Sequence, residues 1–303
     1  MNWILFITSV VLLLTVIHDF FFTVISINGA GPISSKFSAL ISTLFLKMKS
    51  ALKTRKVLKY SGVSVILALT IWWIRGLWLG FYLLILSDDL SVFTASTRIA
   101  ADAFDKIYYS GYVLSTMGNG DFVPGSSRWQ IVIAVFSFSG FIFITTAMTY
   151  LISVSSAVIY KRSFGLYISD MMAFDKEQDK INCIYENANI LRTMVNRHNQ
   201  NHLAYPVVHY FFSIDREASF SVGLWNLNEL LAAIQNKSEY HTYKVIPLIR
   251  AIDGYLETIG QSFIPKAQDY ATRSEMSIKN FREQQIDNLL KSDGWDKFKK
   301  EYK

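Results

Sequence analysis

Runs of apolar residues set the first half of the chain apart from the second. Three of these runs are long enough to cross a bilayer core of about 30 Å, which takes roughly 20 helical residues. They extend from Trp3 to about Ile27, from Val63 to Leu86 and from Ile131 to Tyr160. A fourth stretch, Phe37–Leu46, is too short to span and indicates an interfacial or packed helix. The pattern predicts an all-α membrane protein with three transmembrane helices.

The second half of the chain, residues 163–303, alternates polar and apolar positions with a helical period. Clear examples are Ile181–Val195, Leu224–Ile234 and Tyr243–Thr258, and a more polar helical run is Ala267–Leu290. We predict a compact all-α cytosolic domain of about five to seven helices. The half has no G-x-G-x-x-G after a strand and no Gly-rich phosphate loop, so a nucleotide-binding Rossmann domain is not expected.

Charge follows the same division. Only 18% of the 303 residues are charged, against about a quarter in soluble domains. Residues 1–162 hold 13 Lys/Arg and 6 Asp/Glu, whereas residues 163–303 hold 17 and 18. This split excludes a single compact soluble enzyme and a basic nucleic-acid binder, so no nucleic-acid partner is expected. Cys183 is the only cysteine, so no intramolecular disulfide can form.

The positions of the basic residues predict the orientation. The loop between the first two spans carries seven basic residues and no acid, and Lys161 and Arg162 follow the third span. By the positive-inside rule both regions are cytoplasmic, so the N-terminus lies outside and the C-terminus in the cytosol. The first span lacks a basic leading region and a small-x-small cleavage site, so we expect it to be retained rather than cleaved as a signal peptide.

The external segment between spans two and three carries the most informative motif. Its part 102–129, DAFDKIYYSGYVLSTMGNGDFVPGSSRW, begins with a helical pattern and ends in Thr116-Met117-Gly118-Asn119-Gly120-Asp121. This motif resembles the pore loop of the potassium channel superfamily, whose filter pattern is T-V-G-Y-G-D. Phe122-Val123-Pro124 follow as in bacterial two-transmembrane and two-pore-domain channels. The resemblance covers about residues 63–162 and includes the order helix, pore helix, filter, helix.

The resemblance implies roles for the residues of this loop. The carbonyl oxygens of Thr116, Met117, Gly118, Asn119 and Gly120 would form the selectivity filter, because backbone carbonyls can replace the hydration shell of a cation. Glycine tolerates the alternating backbone hands that turn successive carbonyls the same way. The preceding helix would aim its negative C-terminal end at the cavity.

Three further side chains have implied roles around the filter. Tyr108 and Tyr109 stand where the family has a pair of aromatics behind the filter. Asp121 would lie at the outer mouth, where a carboxylate raises the local cation concentration.

Asn119 departs from the family pattern, since potassium-selective members usually have Tyr or Phe there. Its amide cannot fill the volume of an aromatic ring, although it could hydrogen-bond to a neighbour such as Tyr109. A weakly selective sodium/potassium channel is therefore an alternative to a potassium channel. An alternative from another class is a non-conducting membrane scaffold whose helical domain binds partners.

The third span offers candidates for gating and for the cavity. Gly140 stands near where inner helices of the family often have a hinge glycine, although close helix packing also explains a glycine there. Thr145, Thr149 and Ser153 recur at four-residue spacing. They could line a wet cavity or bond back to their own helix.

Two charged residues lie within the first two spans. Intramembrane charges are expensive and are functional by default. We hypothesise that Arg75 pairs with Asp19 and locks the first span to the second. The alternative is that Arg75 snorkels or faces water.

The histidines of the second half are candidate metal ligands. His198 and His202 are spaced for metal binding if they lie on a helix, but their polar surroundings favour a helix end. His209 has apolar neighbours and is expected to be packed in the core. No local grouping of catalytic residues is found, so we expect no enzyme.

The sequence therefore predicts a homotetrameric cation channel, since one filter per chain requires four chains for a fourfold pore. Residues 1–60 would form the N-terminal transmembrane helix and basic loop, residues 61–162 the pore domain, and residues 163–303 the helical cytosolic domain. Potassium ions are the expected permeant ligand, and neither another cofactor nor a metal elsewhere is expected. The expected partners are the lipid bilayer, other copies of the chain and an unknown cytosolic ligand or protein. The expected location is the bacterial inner (plasma) membrane.

Overall fold

The computed structural model describes residues 1–26, 29–263 and 278–295. The chain divides into two compact units. The first unit holds residues 1–26, 30–37 and 66–153, and the second holds mostly 38–65 and the residues after 153.

Five helices and one pair of short strands occupy the first 172 residues. In chain order the elements are α1 Trp3–Val24, α2 Pro32–Leu52, α3 Ser61–Leu86, β1 Val92–Thr94, α4 Ala103–Leu114, β2 Phe122–Pro124 and α5 Ser127–Met172. A 3₁₀ turn, Arg55–Tyr60, precedes α3. Among the described residues, α1, the helical run Arg55–Leu86 and α5 are long and apolar enough to cross a membrane. The three predicted spans are confirmed, and the third helix continues 12 residues beyond the predicted end at Tyr160.

Small residues hold α1 against α3. A Cβ atom at Gly76 would lie 2.5 Å from a methyl group of Val16, and one at Gly80 would lie 2.6 Å from Leu13. The hydroxyl of Ser9 donates to the carbonyl of Gly80 at 2.8 Å. Small residues at such positions allow helix backbones to approach closely, which is a common basis of packing in membranes.

The segment between α3 and α5 is ordered by a helix cap and by a pair of short strands. The Asp102 side chain caps α4 by accepting from the Asp105 backbone N–H at 2.8 Å, and the Asp105 side chain accepts in return from the Asp102 backbone N–H. Strands β1 and β2 pair antiparallel, with Phe93 opposite Val123. This strand pair is absent from the sequence prediction because three-residue strands carry too short a pattern to be recognised.

The second unit is helical, as predicted. Beyond α5 its elements are α6 Glu177–Glu186, α7 Ala188–Ala204, α8 Phe220–Gln235, α9 Ile246–Ser262 and α10 Ile278–Ser292, with 3₁₀ turns at Pro206–Tyr210 and Thr242–Lys244. Its core includes Phe164, Ile168, Ile184, Leu191, Leu227 and Ile252. The part of the predicted run Ala267–Leu290 that precedes residue 278 lies outside the described residues.

One predicted helix of the second unit is divided. The run Ile181–Val195 is split at Asn187, between α6 and α7. The Asn187 side chain donates to the Cys183 carbonyl at 2.8 Å. An asparagine side chain that competes for backbone groups in this way favours a helix boundary.

Candidate functional site

The loop that follows α4 alternates in backbone hand. Thr116, Gly118 and Gly120 have φ values of 60°, 61° and 82°, whereas Met117 and Asn119 are not in the positive region. No atom lies within 4 Å of a Cβ built on either glycine, so conformation rather than space requires glycine there. The left-handed Thr116 was not predicted, and such a conformation costs an L-residue roughly 1–2 kcal/mol.

Hydrogen bonds from the end of α4 hold the start of this loop. The backbone N–H of Thr116 donates to the Val113 carbonyl at 3.1 Å, and that of Met117 donates to the Tyr112 carbonyl at 3.0 Å. The C-terminal end of α4 therefore lies directly before Thr116, and its dipole places partial negative charge there. Residues 115–121 are exposed in the single chain.

Aromatic residues pack around the loop. Tyr109 and Tyr112 are buried, with ring centroids 5.1 Å apart, and the Tyr112 hydroxyl donates to the Phe122 carbonyl at 3.2 Å. Tyr108 is 44% exposed instead. The two predicted support residues therefore differ: Tyr109 lies in the packed layer and Tyr108 at its surface.

Asn119 does form a hydrogen bond with a neighbouring tyrosine, but with a different one. Its amide donates to the hydroxyl of Tyr108 rather than to Tyr109, the example that the sequence suggested. The same Tyr108 hydroxyl donates to the Asp121 carboxylate at 3.5 Å. Tyr108 thus links Asn119, the residue that differs from the family motif, to the carboxylate of Asp121.

The acidic residues outside the loop are used in packing. The ammonium of Lys106 is buried and donates to the carbonyls of Asp88 and Asp89, at 2.8 and 3.4 Å. Burial lowers the pKa of Lys106, while the carboxylates of Asp89 and Asp88 act to raise it. The Asp88 carboxylate also accepts from the Trp129 indole at 2.9 Å. Sequence reasoning missed Lys106, since a lysine on an amphipathic helix ordinarily faces water.

Trp78 is a second residue that sequence reasoning missed. Its indole N–H lies 3.0 Å from the Ser110 hydroxyl and 3.2 Å from the Ile107 carbonyl, so α3 is joined to the middle of α4. A tryptophan within a span has many explanations, and the sequence contains no signal that selects this partner.

Gly140 lies where α5 approaches the end of α4. A Cβ atom there would be 2.0 Å from the Leu114 carbonyl oxygen, far inside contact distance. The helix α5 continues through this position. The structure thus shows close packing, which was one of the two explanations for this glycine, and a hinge stays a prediction.

The three hydroxyl residues of α5 bond back to their own helix. Thr145 donates to the Phe141 carbonyl at 2.9 Å, Thr149 to that of Thr145 at 3.0 Å, and Ser153 to that of Thr149 at 3.0 Å. Each hydroxyl oxygen can still accept a hydrogen bond from water. Their lining of a cavity stays a prediction.

The predicted ion pair between Asp19 and Arg75 is wrong. One oxygen of the buried Asp19 carboxylate accepts from the backbone N–H groups of Ile33 and Ser34, at 2.9 and 3.0 Å. The other accepts from the Ser34 hydroxyl at 2.6 Å and from the Trp73 indole at 3.1 Å. Arg75 is exposed, and among the described residues no ion pair joins it to Asp19. The amides at the start of α2 serve as the partners of the acid, as helix N-termini do for anions.

The histidines of the second unit form a packed cluster. His198 lies inside α7 and His202 lies in its last turn, so the predicted helix end is found at His202. Both histidines are buried, with ring centroids 4.5 Å apart. His209 stacks on Phe263 at 4.6 Å, in keeping with a packed histidine. Within the described ranges no group of three or more His, Cys, Asp or Glu side chains could hold a metal ion.

Comparison with known proteins finds a family model that matches part of the chain. Residues 68–157 match the family Ion_trans_2, which is described as an ion channel. The matched segment contains α4, the loop after it and much of α5. Residues 68–157 are therefore similar to this two-transmembrane, potassium-channel-like family of ion channels, in agreement with the resemblance in the sequence.

A relative is similar well beyond that domain. Over 286 residues the chain is 28% identical to the uncharacterized membrane protein YdjJ of Bacillus subtilis (strain 168), covering 89% of this chain and 82% of that protein. The likeness is thus not confined to residues 68–157. No solved structure is significantly similar to the chain.

Proposed function

We propose that four copies of this chain form a cation channel that conducts potassium through the backbone carbonyls of Thr116–Gly120. The observation that carries the proposal is the alternating backbone hand directly after α4. Alternation turns successive carbonyls in one direction, which is how carbonyl oxygens replace the water around a permeating ion. One chain supplies one such loop, and the loop is exposed in the single chain. Fourfold symmetry would place four loops around one axis.

Other groups support conduction of a cation. The negative end of the α4 dipole precedes Thr116, whose hydroxyl can add an oxygen at the innermost site. The Asp121 carboxylate would raise the cation concentration at the outer mouth. The hydroxyl oxygens of Thr145, Thr149 and Ser153 can accept from water in a cavity along α5.

The selectivity of the proposed channel depends on Asn119. A small amide stands where an aromatic ring would fill more space, and it is held by Tyr108 at the exposed edge of the tyrosine layer. Potassium conduction is the first proposal. A weakly selective sodium/potassium channel is the second, because the amide leaves the outer part of the loop less tightly packed.

We propose that a movement of α5 opens the pore. Bending of this helix at Gly140 would separate it from the Leu114 carbonyl, against which only a glycine fits. Glycine in a helix interior destabilises it by up to about 1 kcal/mol relative to alanine, which eases bending. The second unit would stabilise the assembly or sense a ligand or partner.

Ion flux in liposomes tests conduction and selectivity together. Reversal potentials in potassium/sodium gradients should show cation current, and Asn119→Tyr should raise the potassium-to-sodium permeability ratio. Gly118→Ala should abolish flux, because alanine strains a φ of 61° in every subunit. Gly254→Ala is the matched control, since a Cβ there meets no atom within 4 Å and its φ is not positive. Absence of flux under every gradient, or flux untouched by Gly118→Ala, would reject the proposal.

The number of subunits is tested separately. Mass measurement of the purified chain in detergent should give a tetramer. A dimer or trimer would contradict a fourfold pore, whatever the flux.

A further inference from the structure

The helix α2 has an unusual distribution of buried and exposed side chains. The residues that it buries include small serines, Ser38 and Ser42, which are 3% and 6% exposed. Several large apolar side chains of the same stretch point outward: Leu40, Leu44 and Met48 are 58%, 51% and 45% exposed, whereas Ile41, Phe45 and Leu46 are half-buried. A helix in water would show the opposite arrangement, with its apolar side chains inside.

The exposed surface of α2 is itself divided into two rows. Leu40, Leu44 and Met48 follow one another at four-residue spacing and lie on one side. We call them the apolar row. Thr43, Lys47 and Ser50, at spacings of four and three, form a second exposed row of polar residues. An apolar row beside a basic polar row is the pattern of a helix that lies in the plane of a membrane interface.

The helix is not one of the candidate spans found among the described residues. It lies in the chain between two of them, α1 and the helical run Arg55–Leu86. Both of its ends are thus tethered to segments that cross the bilayer.

The charge of this region selects the kind of lipid. No Asp or Glu occurs between Asp19 and Asp88, and the one acid at the start of that stretch is fully engaged inside the protein. Two of the basic residues are also engaged, since Lys49 and Arg55 donate to the Gly294 carbonyl at 2.7 and 2.5 Å. The basic residues that follow α2 or lie on its polar row and stay exposed are Lys47, Lys53, Lys56 and Lys59.

We propose that α2 is a lipid-binding element, which inserts its apolar row into the acyl-chain boundary of the bilayer and holds anionic lipid headgroups with the exposed lysines. An anionic surface attracts each nearby lysine, so four of them together favour anionic over neutral lipid. The aliphatic stems of the lysines can lie along the apolar surface while their ammonium groups reach the phosphates. The proposal does not depend on whether the protein conducts ions.

Adjacent probes on the two rows test this placement in the full-length chain. Cys183→Ser removes the native thiol, and single cysteines are then introduced by Leu44→Cys or Thr43→Cys and labelled with a small fluorophore. The protein is reconstituted in vesicles of phosphatidylcholine with about a third phosphatidylglycerol, a composition that gives an anionic surface. Quenching is measured with brominated acyl chains and with aqueous iodide.

The label at position 44 should be quenched by brominated chains at least about twofold more than the label at position 43, with the reverse order for iodide. Equal iodide quenching at both positions would overturn the proposal, since the apolar row would then face water. Protection of position 44 from both quenchers would also overturn it, because a second copy of the chain would then cover the row. Met48→Cys and Ser50→Cys provide a second pair if either of the first variants fails to fold.

The binding of anionic lipid headgroups by the lysines is tested separately. Lys47→Gln with Lys56→Gln should reduce brominated-lipid quenching at position 44 in anionic vesicles and leave it unchanged in pure phosphatidylcholine. The matched control is Lys176→Gln with Arg192→Gln, which also removes two exposed cations but lies far from α2 in the sequence. Quenching that is the same in anionic and neutral vesicles, with and without the lysines, would overturn the recognition of anionic lipid.

Discussion

Lowering the pH from 7 to 5 should unfold the second unit selectively, because it buries three neutral histidines. Burial lowers the pKa of His198 well below the usual 6.5, and the nearby Lys161 ammonium lowers it further. Burial likewise lowers the pKa of His202, and it lowers that of His209 to about 3. The unfolded chain takes up these protons first. Above pH 6.5 the histidines are neutral in both states and do not reduce the free energy of unfolding. Below pH 6.5 the free energy of unfolding falls as the pH decreases toward the folded-state pKa values.

The magnitude follows from the size of the pH window. Below pH 6.5 each such histidine reduces the free energy of unfolding by about 1.4 kcal/mol per pH unit, so by roughly 2 kcal/mol at pH 5. The three together amount to about 6 kcal/mol, which is comparable with the whole stability of many domains. The groups packed on His198 include Phe220, with ring centroids 4.0 Å apart, and Tyr255 at 5.3 Å. None of these aromatic neighbours offers a carboxylate to a protonated ring.

Thermal unfolding of the detergent-solubilised chain, followed by far-ultraviolet circular dichroism, measures the effect. The midpoint of the transition of the second unit should fall steadily between pH 6.5 and pH 5. In His198→Leu the midpoint should decrease less steeply with pH, because unfolding then takes up about one proton fewer. His241→Leu should not, since His241 is exposed. A midpoint that is constant from pH 8 to pH 5, or a slope that is the same in His198→Leu, would refute the reasoning.

Four substitutions elsewhere have definite expected outcomes. Gly140→Ala should abolish ion flux and tetramer formation, because its Cβ would meet the Leu114 carbonyl at 2.0 Å; normal flux would contradict the packing. Asp19→Leu should lower the thermal midpoint of the membrane part, since loss of the carboxylate removes about 3 kcal/mol of hydrogen bonding, whereas Arg75→Leu should leave it unchanged. Arg55→Met should lower the free energy of unfolding of the second unit by about 2 kcal/mol, measured by urea titration. The reason is that the guanidinium donates hydrogen bonds to the backbone carbonyls of residues 213, 293 and 294. An unchanged midpoint would show that these bonds do not stabilise the unit.

The sequence was most informative where the signal is local. The membrane spans follow from the summed hydropathy of about 20 successive residues, which no distant contact alters. The helix α4 and the loop after it follow from an aromatic-rich helical pattern and two glycines within 20 residues. Each of these elements would be recognisable in a peptide of the same sequence.

The sequence was least informative where a side chain has several possible partners. Asp19 was expected to pair with an arginine in the next span, but the N-terminus of α2 offers two amides and a hydroxyl at a shorter distance. His198 lies in a polar stretch and is nevertheless buried, because α7 turns that face toward Phe220 and Tyr255. Lys106 is buried because two carbonyls of the preceding loop face its ammonium. These choices depend on the tertiary arrangement and not on local pattern.

The bonds to the Gly294 carbonyl have a consequence for the order of folding during synthesis. They join Lys49 and Arg55 to a residue 245 and 239 positions further along the chain. The bond from Ser9 to Gly80, which ties α1 to α3, spans only 71 positions. Because the ribosome releases the chain from its N-terminus at a limited rate, α1 and α3 can associate long before the second unit is completed. The two cations must therefore wait for nearly the whole polypeptide to emerge, and a nascent chain stalled before residue 294 would leave them without those carbonyls.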